Sequence, residues 1–248
     1  MKNNKKKIIG LAGFDNNQIN TLKKEFKNCK FVIINNFLEK KNFNADAIIA
    51  YNQGSIEEFI FKRQFKYFSK LKWIHLSIAG VDDYIENFKD VSFTITCGKI
   101  IQGINVSEHA LALLLYLTRL NKTGINFNSK PMTIFRKKVL IFGLGGIGIS
   151  IAEKLSSFGC YVYSVSNKIK PNYSFIEKNY IYKSKFLKDI KNFDIFVICS
   201  PLTKNTKNYF NLGVLEKMKD DSIIINVSRG KILNTNDLLH LLEKDKYS

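Results

Sequence analysis

Lys138-Val139-Leu140-Ile141-Phe142-Gly143-Leu144-Gly145-Gly146-Ile147-Gly148-Ile149-Ser150-Ile151-Ala152-Glu153-Lys154-Leu155 is the stretch that decides the fold. Val139 to Phe142 is short, β-branched and aromatic, which predicts a strand. Gly148 to Phe158 carries apolar residues at helical spacing, which predicts a helix. Between them Gly143, Gly145 and Gly148 form G-x-G-x-x-G. Such a motif alone is weak, but here a strand runs into it and a helix runs out, the context that the chemistry requires. The first glycine makes the tight turn, the second lets a pyrophosphate approach the backbone, and the third lets helix and strand pack closely. The N–H groups at the helix start, from Gly145, Gly146, Ile147 and Gly148, then face the phosphate together with the helix dipole.

The same alternation continues in both directions. Downstream, Tyr161 to Val165, Ile195 to Cys199 and Ser222 to Val227 read as strands, with helices near 185–192, 211–218 and 235–244. Upstream, Lys7 to Ala12, Phe31 to Ile34, Ala45 to Tyr51, Trp73 to Ser77 and Phe93 to Cys97 read as strands, with helices near 17–28, 55–69 and 81–88. Val106 to Leu117 is apolar nearly all round, which predicts a buried helix with Ser107 as its N-cap. Asn121 to Phe135 is a polar connection. Strands alternating with helices imply parallel sheets covered on both faces. The expected fold is α/β, with two doubly wound parallel-sheet domains: a flavodoxin-like one over residues 1–103 and a Rossmann-type one over 104–248, incomplete at its C-terminal side.

Composition removes several alternatives. With 248 residues, 45% of them hydrophobic, the chain buries a substantial core, which excludes wholesale disorder. No segment reaches the roughly 18–20 apolar residues of a membrane span. The lysine-rich start before Ile8 is followed by a short apolar run and Asp15, so a first strand is expected there. The net charge of +18 is spread along the chain, +7 over residues 1–103 and +11 beyond, and only Arg63, Arg119, Arg136 and Arg229 are arginines. A scattered, lysine-dominated charge predicts no specific nucleic-acid binding. Cys29, Cys97, Cys160 and Cys199 lie far apart with no C-x-x-C, which predicts buried reduced thiols in a cytoplasmic protein and no metal site.

The end of the strand after the glycine motif discriminates between NAD and NADP, because a carboxylate there binds the ribose 2′-hydroxyl. This chain has Ser164-Val165-Ser166-Asn167-Lys168, with no acidic residue. Either Ser166, Asn167 and Lys168 accommodate a 2′-phosphate, which favours NADP, or they are ordinary turn residues.

Four further segments flank the glycine motif: Ala79-Gly80-Val81-Asp82, Ser107-Glu108-His109-Ala110-Leu111-Ala112, Ser200-Pro201-Leu202-Thr203 with Thr206, and Asn226-Val227-Ser228-Arg229-Gly230. In this order, over about residues 45–245, the chain resembles the D-isomer-specific 2-hydroxyacid dehydrogenases. The resemblance implies a nicotinamide-dependent oxidoreductase that moves a hydride between NAD(P)H and C2 of a 2-keto acid bound in a cleft between the domains. It implies that the backbone N–H groups of Ala79, Gly80 and Val81 bind the substrate carboxylate. Arg229 would be the catalytic arginine that orients the substrate. Pro201 and Leu202 would flank the adenine side, and Val227 and Ser228 would lie near the nicotinamide. A homodimer through the nucleotide domain and its long helix is also implied. The family's acid/base histidine and its glutamate follow the arginine beyond one more helix, and no residue of this sequence matches them. None of His75, His109 and His240 fills that role by motif. The sequence is therefore expected to be a fragment of a longer dehydrogenase with feeble turnover of its own; the rival expectation is a non-catalytic, cofactor-sensing regulator of the same fold.

Overall fold

The structure is a computed structural model that describes residues 6–34, 44–51, 54, 56–57, 68–82, 84–121, 124–125, 132–181 and 186–243. The chain divides into two compact units, Met1–Lys99 and Ile100–Ser248. The division falls just before the expected 103/104 boundary, because Ile101 already opens the long helix of the second unit.

The first unit runs β1 (Lys7–Ala12), α1 (Asn16–Glu25), β2 (Cys29–Ile33), β3 (Ala47–Ala50), β4 (Trp73–Leu76), a 3-10 turn (Ile85–Phe88) and β5 (Thr94–Cys97). The strands pair in parallel in the order β2-β1-β3-β4-β5, the flavodoxin-like winding. Helix α1 starts where the sequence offers a capping box: the Asp15 carboxylate accepts from Gln18 N at 2.8 Å and the Gln18 amide oxygen accepts from Asp15 N at 3.0 Å. Leu11, Ile48, Ile56, Ile74 and Leu76 are fully buried. The helix expected near 81–88 is only the 3-10 turn, whose first residue lies three positions after Asp82. The helix expected over 55–69 lies mostly outside the described residues.

The second unit runs α2 (Ile101–Leu117), a short hairpin of β6 (Leu120–Asn121) and β7 (Gly124–Ile125), β8 (Lys138–Phe142), α3 (Gly146–Ser157), β9 (Tyr161–Ser166), β10 (Lys178–Ile181), α4 (Phe186–Asp189), β11 (Ile195–Ile198), α5 (Leu212–Leu215), β12 (Ile223–Asn226) and α6 (Thr235–Glu243). Its parallel sheet has the order β10-β9-β8-β11-β12. Counted within the unit this is 3-2-1-4-5, the Rossmann winding through its fifth strand, with the switch point between β8 and β11. Strand alternation sends Val139, Ile141, Val162, Ile195, Val197 and Ile225 to the face covered by α2 and α3. Leu140, Phe142, Val165, Phe196 and Ile198 go to the opposite face, against Phe186, Phe193, Phe210, Leu215, Ile232 and Leu241.

Helix α2 departs from expectation in two ways. It begins at Ile101, and Ser107 is not its N-cap but a buried mid-helix residue. The Ser107 hydroxyl donates to Ile104 O at 2.7 Å and accepts from Ser150 Oγ on α3 at 3.0 Å. The helix is also covered on one side only. Its inward stripe is Gly103, Ser107, Ala110 and Leu114, whereas Ile101, Ile104, Tyr116 and Leu117 are exposed. Small residues in the stripe allow the close approach: a Cβ on Gly103 would stand 3.2 Å from Gly146 O. No helix among the described residues is long and apolar enough to cross a membrane.

Candidate dinucleotide site and its neighbouring loops

The glycine loop leaves β8 at the switch point. Phe142, the last strand residue, is held by Tyr209 and Phe210, with ring centroids 4.8 and 5.0 Å away. Burying this ring contributes about 1.5–3 kcal/mol and fixes the start of the turn. Gly143 follows at φ +110°, where a side chain is strained; a Cβ there would also lie 2.6 Å from Ser200 N and Cα. Its N–H bonds Val165 O at 2.9 Å, and its carbonyl accepts from the Cys199 thiol at 3.0 Å. A Cβ on Gly148 would stand 2.1 Å from that same carbonyl. The fold itself therefore dictates glycine at 143 and 148.

Gly145 is different. It is the N-cap of α3, in extended backbone with φ −95°, and no side chain caps the helix. A Cβ added there meets nothing within 4 Å. Nothing among the described residues requires glycine at this position, and the open space lies at the start of a 12-residue helix. There the N–H groups of Gly146, Ile147 and Gly148 have no intrahelical acceptor. An anionic diphosphate fits this cradle: the bare backbone admits it and the dipole favours it.

Two neighbouring loops leave the carboxyl ends of β11 and β12. Thr206, buried in the first, donates to Pro201 O at 2.8 Å and accepts from Thr203 N at 2.7 Å, closing Pro201–Thr206 into a knot. Pro201 is exposed, and Leu202 packs on the aromatic core. The Ser200 hydroxyl is buried and without a hydrogen-bond partner among the described residues. In the second loop the Asn226 side chain accepts from Ser228 N and donates to Arg229 O, each at 3.1 Å, so it clamps both sides of the turn that carries Arg229. The Ser228 hydroxyl donates to Ser200 O and ties the two loops together. Val227 and Arg229 are half-buried, and Arg229 Nη1 donates to Ser228 O at 3.3 Å. As at Gly145, a Cβ on Gly230 would meet nothing within 4 Å.

At the end of β9, Ser166 is buried and its hydroxyl donates to Lys168 O at 2.6 Å, while Asn167 and Lys168 are exposed. In the first unit Ala79, Gly80 and Val81 form the half-buried bend after β4. Ala79 O accepts from the Cys97 thiol at 3.8 Å and Val81 O from Tyr84 N at 3.0 Å. The N–H groups of these three residues have no acceptor among the described residues.

Thr96 Oγ1 accepts from Trp73 Nε1 at 2.8 Å and lies 2.9 Å from His75 Nδ1, so His75 belongs to a packed strand cluster. His109 is exposed rather than buried, because it lies on the outward side of α2, and His240 is exposed on α6. All four cysteines are free, but only Cys160 is buried as a whole residue. Burial pushes the Cys160 thiol up to about 11 and the Cys199 thiol, enclosed beneath the glycine loop, up to about 12. No group of three metal-ligating side chains occurs among the described residues.

Sequence reasoning missed β10 and with it Asn179, which bonds Ser164 and Ser166 from the neighbouring strand. It also missed Asn226 as the clamp of the arginine loop. The only signal for either was an asparagine beside a strand, which is common.

Comparison with known proteins agrees with this architecture. Residues 115–248 match the family model of the D-isomer specific 2-hydroxyacid dehydrogenase NAD binding domain. A glyoxylate/hydroxypyruvate reductase of Arabidopsis thaliana is 36% identical over 106 residues, 43% of this chain and 31% of that protein. Erythronate-4-phosphate dehydrogenase of Wigglesworthia glossinidia brevipalpis is 27% identical over 242 residues, 94% of this chain and 58% of that protein. The chain thus spans less than two thirds of the length of either relative. A crystal structure of a family protein from Aeromonas salmonicida superposes with a TM-score of 0.79 at 24% identity, covering 98% of this chain and 79% of that one. With the glycine cradle, the winding order and the family model in agreement, the chain belongs to the D-isomer-specific 2-hydroxyacid dehydrogenases and carries their NAD-binding domain.

Proposed function

We propose that this protein binds a reduced nicotinamide dinucleotide, NADPH in preference to NADH, and serves the reduction of a small 2-keto acid to a D-2-hydroxy acid. The observation that carries the reading is Gly145: glycine stands where the fold makes no demand for it and where a pyrophosphate would otherwise meet a side chain. When bound, the reduced nicotinamide supplies the hydride that C2 of the keto acid accepts.

The protein's residues hold and orient. Gly143 shapes the turn, and the N–H groups of Gly145, Gly146, Ile147 and Gly148 bind the diphosphate. Asn167 and Lys168, on the turn that the buried Ser166 hydroxyl holds, take the 2′ end of the adenosine; without a carboxylate they favour a 2′-phosphate over a hydroxyl. Pro201 and Leu202 line the adenine side, and Val227 and Ser228 the nicotinamide side. The guanidinium of Arg229 binds the keto acid's carboxylate and carbonyl oxygen through paired N–H donors, which fixes the face of C2 that reacts. In the first unit, the N–H groups of Ala79, Gly80 and Val81 form an anion nest suited to a substrate carboxylate. We assign proton transfer to none of His75, His109 and His240: the first is bonded within a strand cluster, and the others stand on exposed helix faces. The exposed side of α2, with Ile101, Ile104, Tyr116 and Leu117, supports a homodimer through that helix. Four free cysteines suit a reducing cytoplasm.

The test is titration of the purified chain with NADPH and NADH, followed by oxamate, an unreactive 2-keto-acid analogue, on the cofactor complex. Both cofactors bind, NADPH more tightly, and Arg229→Lys loses oxamate binding while keeping the cofactor. Failure of either cofactor to bind a folded chain overturns the reading. Cofactor binding without any oxamate response leaves the cofactor-sensing regulator as the function.

A further inference from the structure

We propose that Asn179, on β10, is a positioning residue for cofactor discrimination: it fixes the turn that carries Asn167 and Lys168 through a relay of hydroxyl groups. The proposal deepens the NADP reading and rests on it. Asn179 pairs with Ser164 across the parallel strands, and Ile181 with Ser166, so the Asn179 side chain lies on the same face as both serines.

The hydrogen bonds form one consistent chain. Ser164 Oγ donates to Asn179 Oδ1 at 2.9 Å, Asn179 Nδ2 donates to Ser166 Oγ at 3.0 Å, and Ser166 Oγ gives its proton to Lys168 O at 2.6 Å, the shorter contact, rather than to Asn179 Oδ1 at 3.2 Å. Each hydroxyl has a single proton, and this direction uses each donor once. Ser164 and Ser166 are 0% and 5% exposed, so water does not substitute readily for a missing partner. The Ser166 hydroxyl is thereby committed to the protein. It holds the Lys168 carbonyl back toward the strand, which leaves Asn167 and Lys168 outermost on a fixed turn. A lysine on a free turn presents its charge over a wide volume; a lysine on a turn held at its own carbonyl starts from one place. That difference matters most for a charge-assisted contact to a compact anion such as a 2′-phosphate, and little for the shared diphosphate at the glycine loop.

Asn179→Ala removes the link, and Asn179→Asp keeps the acceptor for Ser164 but removes the donor to Ser166. Affinities for NADP+ and NAD+ are measured by titration for the wild type, both variants, Lys168→Ala and the Asn179→Ala/Lys168→Ala double variant. The wild type prefers NADP+. Asn179→Ala and Asn179→Asp lower that preference about tenfold, the equivalent of one charge-assisted hydrogen bond, with NAD+ affinity unchanged. The double variant falls no further than Lys168→Ala, because the two residues act in series. A wild type that prefers NADP+ while both Asn179 variants keep the full preference overturns the role of Asn179 alone. Equal loss of both cofactors in the variants also overturns it and marks a structural role. A wild type without preference, with Lys168→Ala silent, overturns the NADP reading itself.

Discussion

Replacing Gly145 and Gly148 by alanine separates what the fold requires from what the ligand requires. At Gly148 the new Cβ would lie 2.1 Å from Gly143 O and 3.1 Å from Cys199 Sγ. That carbonyl has little room to retreat, because its residue is bonded to Val165 O on one side and to the Cys199 thiol on the other. Overpacking against backbone costs about 3 kcal/mol, and alanine's better helix propensity offsets about 1 kcal/mol of it. A net loss of about 2 kcal/mol lowers Tm by roughly 4–8 °C in a chain of this size. At Gly145 the Cβ enters open space on extended backbone. The reduced freedom of the unfolded chain stabilises by about 0.4–1 kcal/mol, and the poorer N-cap preference of alanine offsets a similar amount. Gly145→Ala therefore melts within about 2 °C of the wild type. Its methyl group stands between a diphosphate and the helix N–H groups, so the loss of one or two charge-assisted bonds weakens dinucleotide binding about 10–100-fold. Thermal melts and isothermal titration with NADP+ and NAD+ read both quantities on the same samples. Wild-type affinity in Gly145→Ala, or a melt as low as that of Gly148→Ala, would refute the assignment of the space above Gly145 to the ligand.

Two further outcomes concern titration. Burial opposes ionisation of Asp194, but its hydrogen bonds from Lys219 Nζ at 2.8 Å and Lys138 N at 2.9 Å, with Lys137 at 4.0 Å, outweigh it and lower its pKa below the usual 3.8. A depressed carboxylate contributes stability above its unfolded pKa and loses it as pH falls through the folded value. Urea unfolding from pH 7 downward should show the wild type losing this contribution below 3.8, while Asp194→Asn, less stable by about 1–2 kcal/mol at pH 7, lacks that part of the acid sensitivity. For the cysteines, thiols raised to about 11 and 12 leave a thiolate fraction at pH 8 near one in a thousand or less. Peptide mass spectrometry after iodoacetamide should find Cys160 and Cys199 unmodified in the folded protein and modified in urea; rapid labelling of either in the folded state contradicts their enclosure.

Legibility of the fold followed the periodicity. The first strand is read to the residue, and β8 is extended by one residue, because an unbroken apolar run between charged or glycine neighbours has little alternative. The sequence reading of helix α2 is five residues short, since Ser107 looks like a cap. Its buried stripe is built from Gly103, Ser107 and Ala110, whose value is smallness rather than hydrophobicity. β10 escaped because Lys178-Asn179-Tyr180-Ile181 is a short, mostly polar edge strand, stabilised by Asn179's hydrogen bonds rather than by an apolar alternation. The glycine loop was legible because each of its glycines answers a separate geometric demand. The Asn179 relay was not, because its partners stand 13 and 15 residues away and meet only when the strands pair.

The three glycines also differ in what holds them through descent. Gly143 is held by its positive φ and the Ser200 backbone, and Gly148 by the Gly143 carbonyl, so neither changes without damage to the fold. Gly145 is guarded by the ligand alone. In a lineage that gives up the cofactor but keeps the fold, Gly145 is the position released first, and a larger residue there, beside two intact glycines, would mark a descendant that has turned the scaffold to another use.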